Sequence, residues 1–121
     1  MRVLVCGGRN YVDRQALYQA LDELHRLRKF ELLIAGGARG ADTLAEEWAR
    51  DRNISSEIYH ADWQLGRKAG PIRNQRMLDE GGPQLVIAFP GGRGTEDMTA
   101  RARAAAIETI RVQPSPFATA E

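Results

Sequence analysis

The chain alternates short apolar runs with longer stretches in which apolar residues recur every three or four positions. Five runs are rich in aliphatic and β-branched residues: "RVLVC" (2–6), "ELLIA" (31–35), "SEIYH" (56–60), "QLVIAF" (84–89) and "ETIRV" (108–112). Each predicts a strand. Between them, residues 14 to 29 set Leu17, Leu21, Leu24 and Leu27 on one helical face behind Asp13, whose short acidic side chain suits an N-cap. Residues 42 to 52 repeat the pattern with Leu44, Ala45, Trp48 and Ala49, and stop near Asn53, a residue that tolerates left-handed backbone. A third helix is predicted over 71 to 80, opened by Pro71 and closed by Gly81-Gly82, and a fourth, rich in alanine and arginine, over about 95 to 106.

Strands that read as nearly continuous apolar runs, separated by helices, specify a parallel sheet covered on both faces. The expected fold class is therefore α/β: a Rossmann-like three-layer sandwich with a mainly parallel five-stranded sheet. One domain is expected over residues 1 to 112. The remainder, "QPSPFATAE" (113–121), has two prolines and little to bury, and reads as a disordered tail.

Composition changes this picture in one respect. Seventeen Lys and Arg against sixteen Asp and Glu leave a formal net charge of +1, so no global field draws the protein to nucleic acid or membrane and any anion must be caught locally. The single cysteine, Cys6, sits in an apolar run and reads as a small buried hydrophobe. Without a signal-peptide core or a bilayer-length apolar stretch, a cytoplasmic protein is expected.

Three strand ends carry paired glycines: "CGGRN" (6–10), "AGGARGAD" (35–42) and "FPGGRGTED" (89–97). In an open α/β sheet the ligand crevice lies beyond the carboxyl ends of the strands, so all three turns fall on one edge. Each brings an arginine: Arg9 beside Gly7 and Gly8, Arg39 beside Gly36, Gly37 and Gly40, and Arg93 among Gly91, Gly92, Gly94 and Thr95. Backbone N–H groups with guanidinium forks nearby suit a phosphate. A lone glycine pair signals only a tight turn, whereas three on one edge favour an anion crevice. None completes G-x-G-x-x-G and no G-K-[ST] follows, which excludes a Walker-type ATPase and disfavours a conventional NAD enzyme. No cofactor is expected.

The stretch "AGPIRNQRML" (69–78) places Arg73 and Asn74 in a first helical turn, where an arginine is electrostatically misplaced unless it meets an anion, an Asp62 carboxylate or a C-terminal carbonyl. Trp63, just before, is either a base-stacking platform or a cap on the core. His60 and Asp62, with only His25 elsewhere, are too thin a set for a metal, and none is assigned.

Taken together, "GGARGAD", "AGPIRNQRM" and "PGGRGTEDM" resemble the SLOG superfamily, the Rossmann-like group that includes the Lonely Guy phosphoribohydrolases and the DNA-processing protein A fold. The resemblance is greatest to its small YspA-type, cpYpsA-related branch of unknown function. It implies that "PGGRGT" holds a nucleotide 5′-phosphate, that "GGARGAD" closes over sugar and phosphate, and that Arg73 stands where the enzymes keep a functional arginine, with Asn74 in place of lysine. It also implies a homodimer. The enzymes read P-G-G-x-G-T-x-x-E, and here Met98 replaces that glutamate. Asp97 and Glu96, one and two residues earlier, and Asp42 are the carboxylates left to bind sugar or to support cleavage of a base–ribose bond, with Arg73 as the partner catalyst.

The expectation is a domain that binds a nucleoside monophosphate or a nucleotide-derived molecule such as an ADP-ribose relative, as a sensor or as an N-glycosidic hydrolase. The alternative is single-stranded DNA binding by Arg67, Lys68, Arg73 and Arg76 beside Trp63, which the near-neutral charge and 7% aromatic content disfavour.

Overall fold

Alternate residues of the first strand face opposite ways, and both sets are apolar. Val3 and Val5 meet one layer of helices, Leu4 and Cys6 the other, and all four are buried. This two-sided burial is what an interior parallel strand requires. The computed structural model describes residues 1–114, and Gln113 and Pro114 lie in neither helix nor strand. The rest of the expected tail, residues 115 to 121, lies outside the described residues.

Along the chain run β1 (Arg2–Cys6), α1 (Arg14–Arg28), β2 (Leu32–Ala35), α2 (Ala41–Asp51), β3 (Ser55–Ile58), a 3-10 segment (Trp63–Lys68), α3 (Ala69–Gly81), β4 (Leu85–Ala88), α4 (Arg93–Ala104) and β5 (Glu108–Arg111). The strands form one sheet in the order β3-β2-β1-β4-β5, and every pairing is parallel. Leu17 and Leu21 of α1 and Ala45, Trp48 and Ala49 of α2 cover one face, while Met77 and Leu78 of α3 and Met98 and Ala102 of α4 cover the other. The chain winds outward from β1 to β3 and returns to β4 on the other side of β1. The β1/β4 junction is therefore the topological switch point, where crevices open at strand carboxyl ends.

Local signals act as their chemistry predicts. The Asp13 carboxylate accepts from the Ala16 N–H at 3.1 Å, and Asn53 takes positive φ (58°) after α2. Three details differ. Leu27 is 63% exposed, because at 3.6 residues per turn it lies round the helix from the stripe of Leu17, Leu21 and Leu24 that packs on the core. The segment 63–68 is helical although it shows no apolar periodicity. Gly66, at φ 71° and ψ −140°, is non-helical and kinks this segment, whose second part runs directly into α3, which starts at Ala69 instead of Pro71. Arg73 and Asn74 consequently occupy the second turn of α3.

Trp48 anchors the α1/α2 layer: it is fully buried, stacks edge-on to His25 and Phe30, and donates from Nε1 to Asp22 Oδ1 at 2.8 Å. Trp48→Ala would leave a large cavity and remove one of the Asp22 hydrogen bonds, the Arg52 pair remaining, so urea unfolding should register a loss of about 3–5 kcal/mol.

Candidate functional site

Gly8 is the knot of the site. Its N–H donates to Pro90 O at 2.9 Å, and its carbonyl accepts from Tyr11 N and from Ala41 N at 3.2 and 3.1 Å. One peptide thus ties the β1–α1 turn to the β4–α4 turn and to the first residue of α2. These contacts explain several glycines without any ligand. A Cβ on Gly91 would lie 2.2 Å from Thr95 Oγ1 and 2.6 Å from Gly8 N, and one on Gly40, at φ 80°, would lie 2.2 Å from Gly8 O. Gly7 packs against Ala41 and Phe89, Gly36 lies beneath Arg73 and Asp42, and Gly37 lies beneath His60. Gly92 and Gly94 differ, because nothing approaches within 4 Å of the Cβ either would carry.

The crevice opens above these turns as two adjoining hollows. The larger, about 750 Å³, is bounded by Gly7 to Tyr11, Asp42, Arg73, Asn74 and Pro90 to Thr95. The smaller, about 420 Å³, is bounded by Gly36 to Arg39, His60 and Ala61. Arg9, Ala38, Trp63 and Arg73 border both. Along the floor of the larger hollow, the N–H groups of Gly91 to Thr95 donate to no protein acceptor among the described residues. No side chain caps the N-terminus of α4 either.

Arg73 lies over the ends of β2 and β3. Nη1 donates to Gly36 O and, at 3.5 Å, to Tyr59 O, while Nε donates to Asn74 Oδ1 at 3.1 Å. Burial lowers its pKa from the usual arginine value, with Asp42 opposing and Arg9 assisting. Trp63 is 56% exposed, and the Arg9 guanidinium sits over its ring, 4.9 Å from the ring centre, so one face of the ring system already holds a cation.

Charge is distributed unevenly. Arg2, Arg14, Arg26, Arg28, Arg52, Arg76, Arg101 and Arg111 all pair with carboxylates. Among the described residues, the crevice arginines Arg9, Arg39, Arg67, Arg73 and Arg93 have no such partner.

The three candidate carboxylates separate cleanly. Glu96 pairs with Arg111 at 3.1 Å on the far side of α4. Asp97 does not line either hollow: its Oδ2 accepts from Asn74 Nδ2 at 2.9 Å and from Arg101 Nε at 2.8 Å. Burial alone would raise its pKa, but those two bonds prevail and hold it below the usual carboxylate range. Asn74, only 4% exposed, also donates to Gly94 O at 3.3 Å, so the Asp97–Asn74 pair fastens α3 to the start of α4. Met98 is buried with Met77 beneath the crevice floor. Asp42 alone faces the larger hollow. Burial pushes its carboxyl up to about 6, against the opposing Ala38 N–H bond (3.2 Å) and the nearby Arg73. Cys6 also borders the larger hollow, where burial pushes its thiol up to about 12 and keeps it inert.

His60, Asn10 and Tyr11 border the crevice without having been singled out as binding residues in the sequence. Asn10 and Tyr11 directly follow the first glycine turn, so strand-end position was the available signal. His60 stands two residues past β3 on the same edge. Asp62 instead caps the 3-10 segment, accepting from Gln64 N at 3.1 Å, and no group of metal-ligating side chains forms among the described residues. No described helix is long and apolar enough to cross a membrane.

A Rossmann-like domain with a cationic crevice at its switch point is the class that this fold defines. The chain belongs to the YspA, cpYpsA-related SLOG family (YAcAr), whose family model matches residues 1–66. It is also similar to "Gene 61 protein" of Mycobacterium phage D29, 40% identical over 124 residues that cover 95% of this chain and 98% of that protein. Family membership connects the chain broadly with nucleotide-related binding or processing. The matched span contains the first two glycine turns, and the 90–98 turn lies beyond it.

The Asp42 carboxyl makes a checkable pH signature. Its folded pKa stands above its ordinary 3.8, so its contribution to stability is complete below about pH 4 and is lost as pH rises through about 6. Asp42→Asn cannot ionise. Its stability relative to the parent should therefore climb by about 3 kcal/mol between pH 4 and 7 and level off above, as read by denaturant unfolding at each pH. A flat difference would mean that Asp42 is ionised throughout.

Proposed function

We propose that this protein binds a nucleotide or nucleotide-derived ligand, with its phosphate on the Gly91–Thr95 turn and its nucleoside lying across the larger hollow toward Arg73 and Trp63. The observation that carries the reading is the run of five consecutive N–H groups, Gly91 to Thr95, that meet no protein acceptor among the described residues and border a crevice rich in arginines without an ion-pair partner among those residues. Amides converging at a helix N-terminus match a phosphate dianion in charge and direction. Gly92 and Gly94 support it further, because neither left-handed backbone nor internal packing accounts for their lack of a side chain. A ligand approaching the main chain does. Arg73, held through Nη1 by two strand-end carbonyls, borders the hollow with a guanidinium already ordered before a ligand arrives.

Cleavage of an N-glycosidic bond is a second reading, and Asp42 favours it. A carboxyl near pH 6 in the crevice is suited to giving or taking a proton at neutral pH. In that step a water oxygen bonds to the anomeric carbon, the base departs with the bond's electron pair, and Asp42 carries a proton from the water toward the leaving base. Chromatography of the binding mixtures for free base tests it: release that Asp42→Asn abolishes supports hydrolysis, and binding without release leaves a sensor.

The binding reading predicts opposite effects from one methyl group. Gly94→Ala should stabilise the fold by about 0.5–1 kcal/mol, since alanine is the better helix former and its Cβ meets nothing. The same change should weaken a 5′-mononucleotide by about 1–3 kcal/mol in calorimetric titration, because the methyl stands where the phosphate approaches. Arg73→Ala should cost about 1.5–3 kcal/mol of affinity. The reading fails if no ribonucleoside 5′-monophosphate binds the parent, or if Gly94→Ala binds as the parent does.

A further inference from the structure

The smaller hollow has a composition that a single 5′-phosphate does not use. Arg9, Arg39, Arg73 and His60 surround it together with the backbone of Gly36 to Ala38, and no carboxylate lines it. Arg39 stands clear of the larger hollow, and its guanidinium has no ion-pair partner among the described residues. Both hollows share Arg9 and Arg73, so they form two ends of one groove running across the strand termini.

Sheet order sets the length of that groove. The Gly91–Thr95 turn follows β4, whereas the smaller hollow lies over the ends of β2 and β3. With about 4.8 Å between neighbouring strands, the two ends stand roughly 12 Å apart at the backbone, and inward-reaching arginines shorten the gap between the charges they would hold. That interval accommodates a nucleoside body. Charge agrees with length, since five unpaired arginines and one carboxyl that burial favours in its neutral form exceed what one phosphate dianion neutralises.

Resting on the nucleotide reading above, we infer that the hollow bounded by Arg39, His60, Arg9 and Arg73 is a second oxyanion subsite, and that the ligand is a nucleotide bearing a second phosphoryl group on the far side of its sugar. The Trp63 ring, held on one side by Arg9, lies between the two ends, where it can cover the sugar or base. The guanidinium of Arg39 supplies the bidentate contact to the second phosphoryl group.

The test compares the four ribonucleoside 5′-monophosphates with the corresponding 3′,5′-bisphosphates by calorimetric titration at one fixed ionic strength. For the preferred base, the bisphosphate should bind about tenfold or more tightly than the monophosphate. Arg39→Ala, at a crevice-rim side chain that no fold contact depends on, should collapse that ratio toward one, and Arg39→Glu should invert it. Gly94→Leu should weaken both compounds together and leave the ratio in place. Equal affinities in the parent, or an unchanged ratio in Arg39→Ala, overturn the second subsite while nucleotide binding stands. If neither class of compound binds, both readings fall.

Discussion

The peptide of Gly8 is the constraint on which the crevice depends. Its N–H is committed to Pro90 and its carbonyl to Tyr11 and Ala41, so the ends of β1 and β4 and the beginning of α2 cannot shift independently. The tight approach leaves no room for side chains at Gly40 or Gly91, and it determines which main-chain groups are used up internally. The amides used up belong to Gly8, Tyr11 and Ala41. Those of Gly91 to Thr95, one turn further on, are held rigidly in place by the same contact but are not consumed by it. A rigid set of donors aimed at one region is what makes backbone recognition of an anion strong, since no ordering cost is met on binding.

The disposition of carboxylates follows a similar logic. Around the outside of the fold, acids and arginines answer one another across α1, α2, α3 and β5. At the sheet's carboxyl edge this pairing stops, and a chain with net charge +1 acquires a strongly positive local field. Two carboxylates close in sequence to the Gly91–Thr95 turn are diverted from it. Glu96 turns to Arg111, and Asp97 spends its charge on Asn74 and Arg101. An ionised Asp97 in the hollow would repel a phosphate, whereas in its actual place it fixes the start of α4 and so the direction of the amides.

The sheet and its four helices were legible in the sequence because the interior strands β1, β2 and β4 bury both faces and each helix buries a stripe, which leave distinct periodicities, while the half-exposed edge strands β3 and β5 still carry short β-rich runs. Boundaries shifted by up to two residues where end residues such as Glu31, Gln84 and Pro71 carry no such signal. The 3-10 segment at Trp63–Lys68 was not legible: none of its residues is buried, so burial imposed no pattern on it. The glycine turns marked the sheet edge at which the crevice opens but could not divide their residues between self-packing and open space. Gly91 and Gly92 are adjacent and identical in sequence, yet one is filled by Gly8 and Thr95 and the other faces open space. Asp97 illustrates the same limit, since its direction depends on Asn74 of another helix, and only tertiary placement brings the two together.

Arg73 is the residue at which the proposed anion reading has its clearest physical basis. Its guanidinium is half-buried, and among the described residues its acceptors there are two carbonyls and an amide oxygen, none of which carries a full negative charge. Burying a cation without a counter-charge is unfavourable, and carbonyl dipoles offset it only in part. Asp42, the one acid within reach, is itself buried enough to prefer its proton, so at mildly acidic pH it withholds the charge that Arg73 lacks. On the proposed reading, an incoming phosphate would resolve both difficulties: it would neutralise Arg73 directly and raise the proton affinity of Asp42 further. Anion binding and proton uptake at Asp42 would then be thermodynamically linked, each favouring the other.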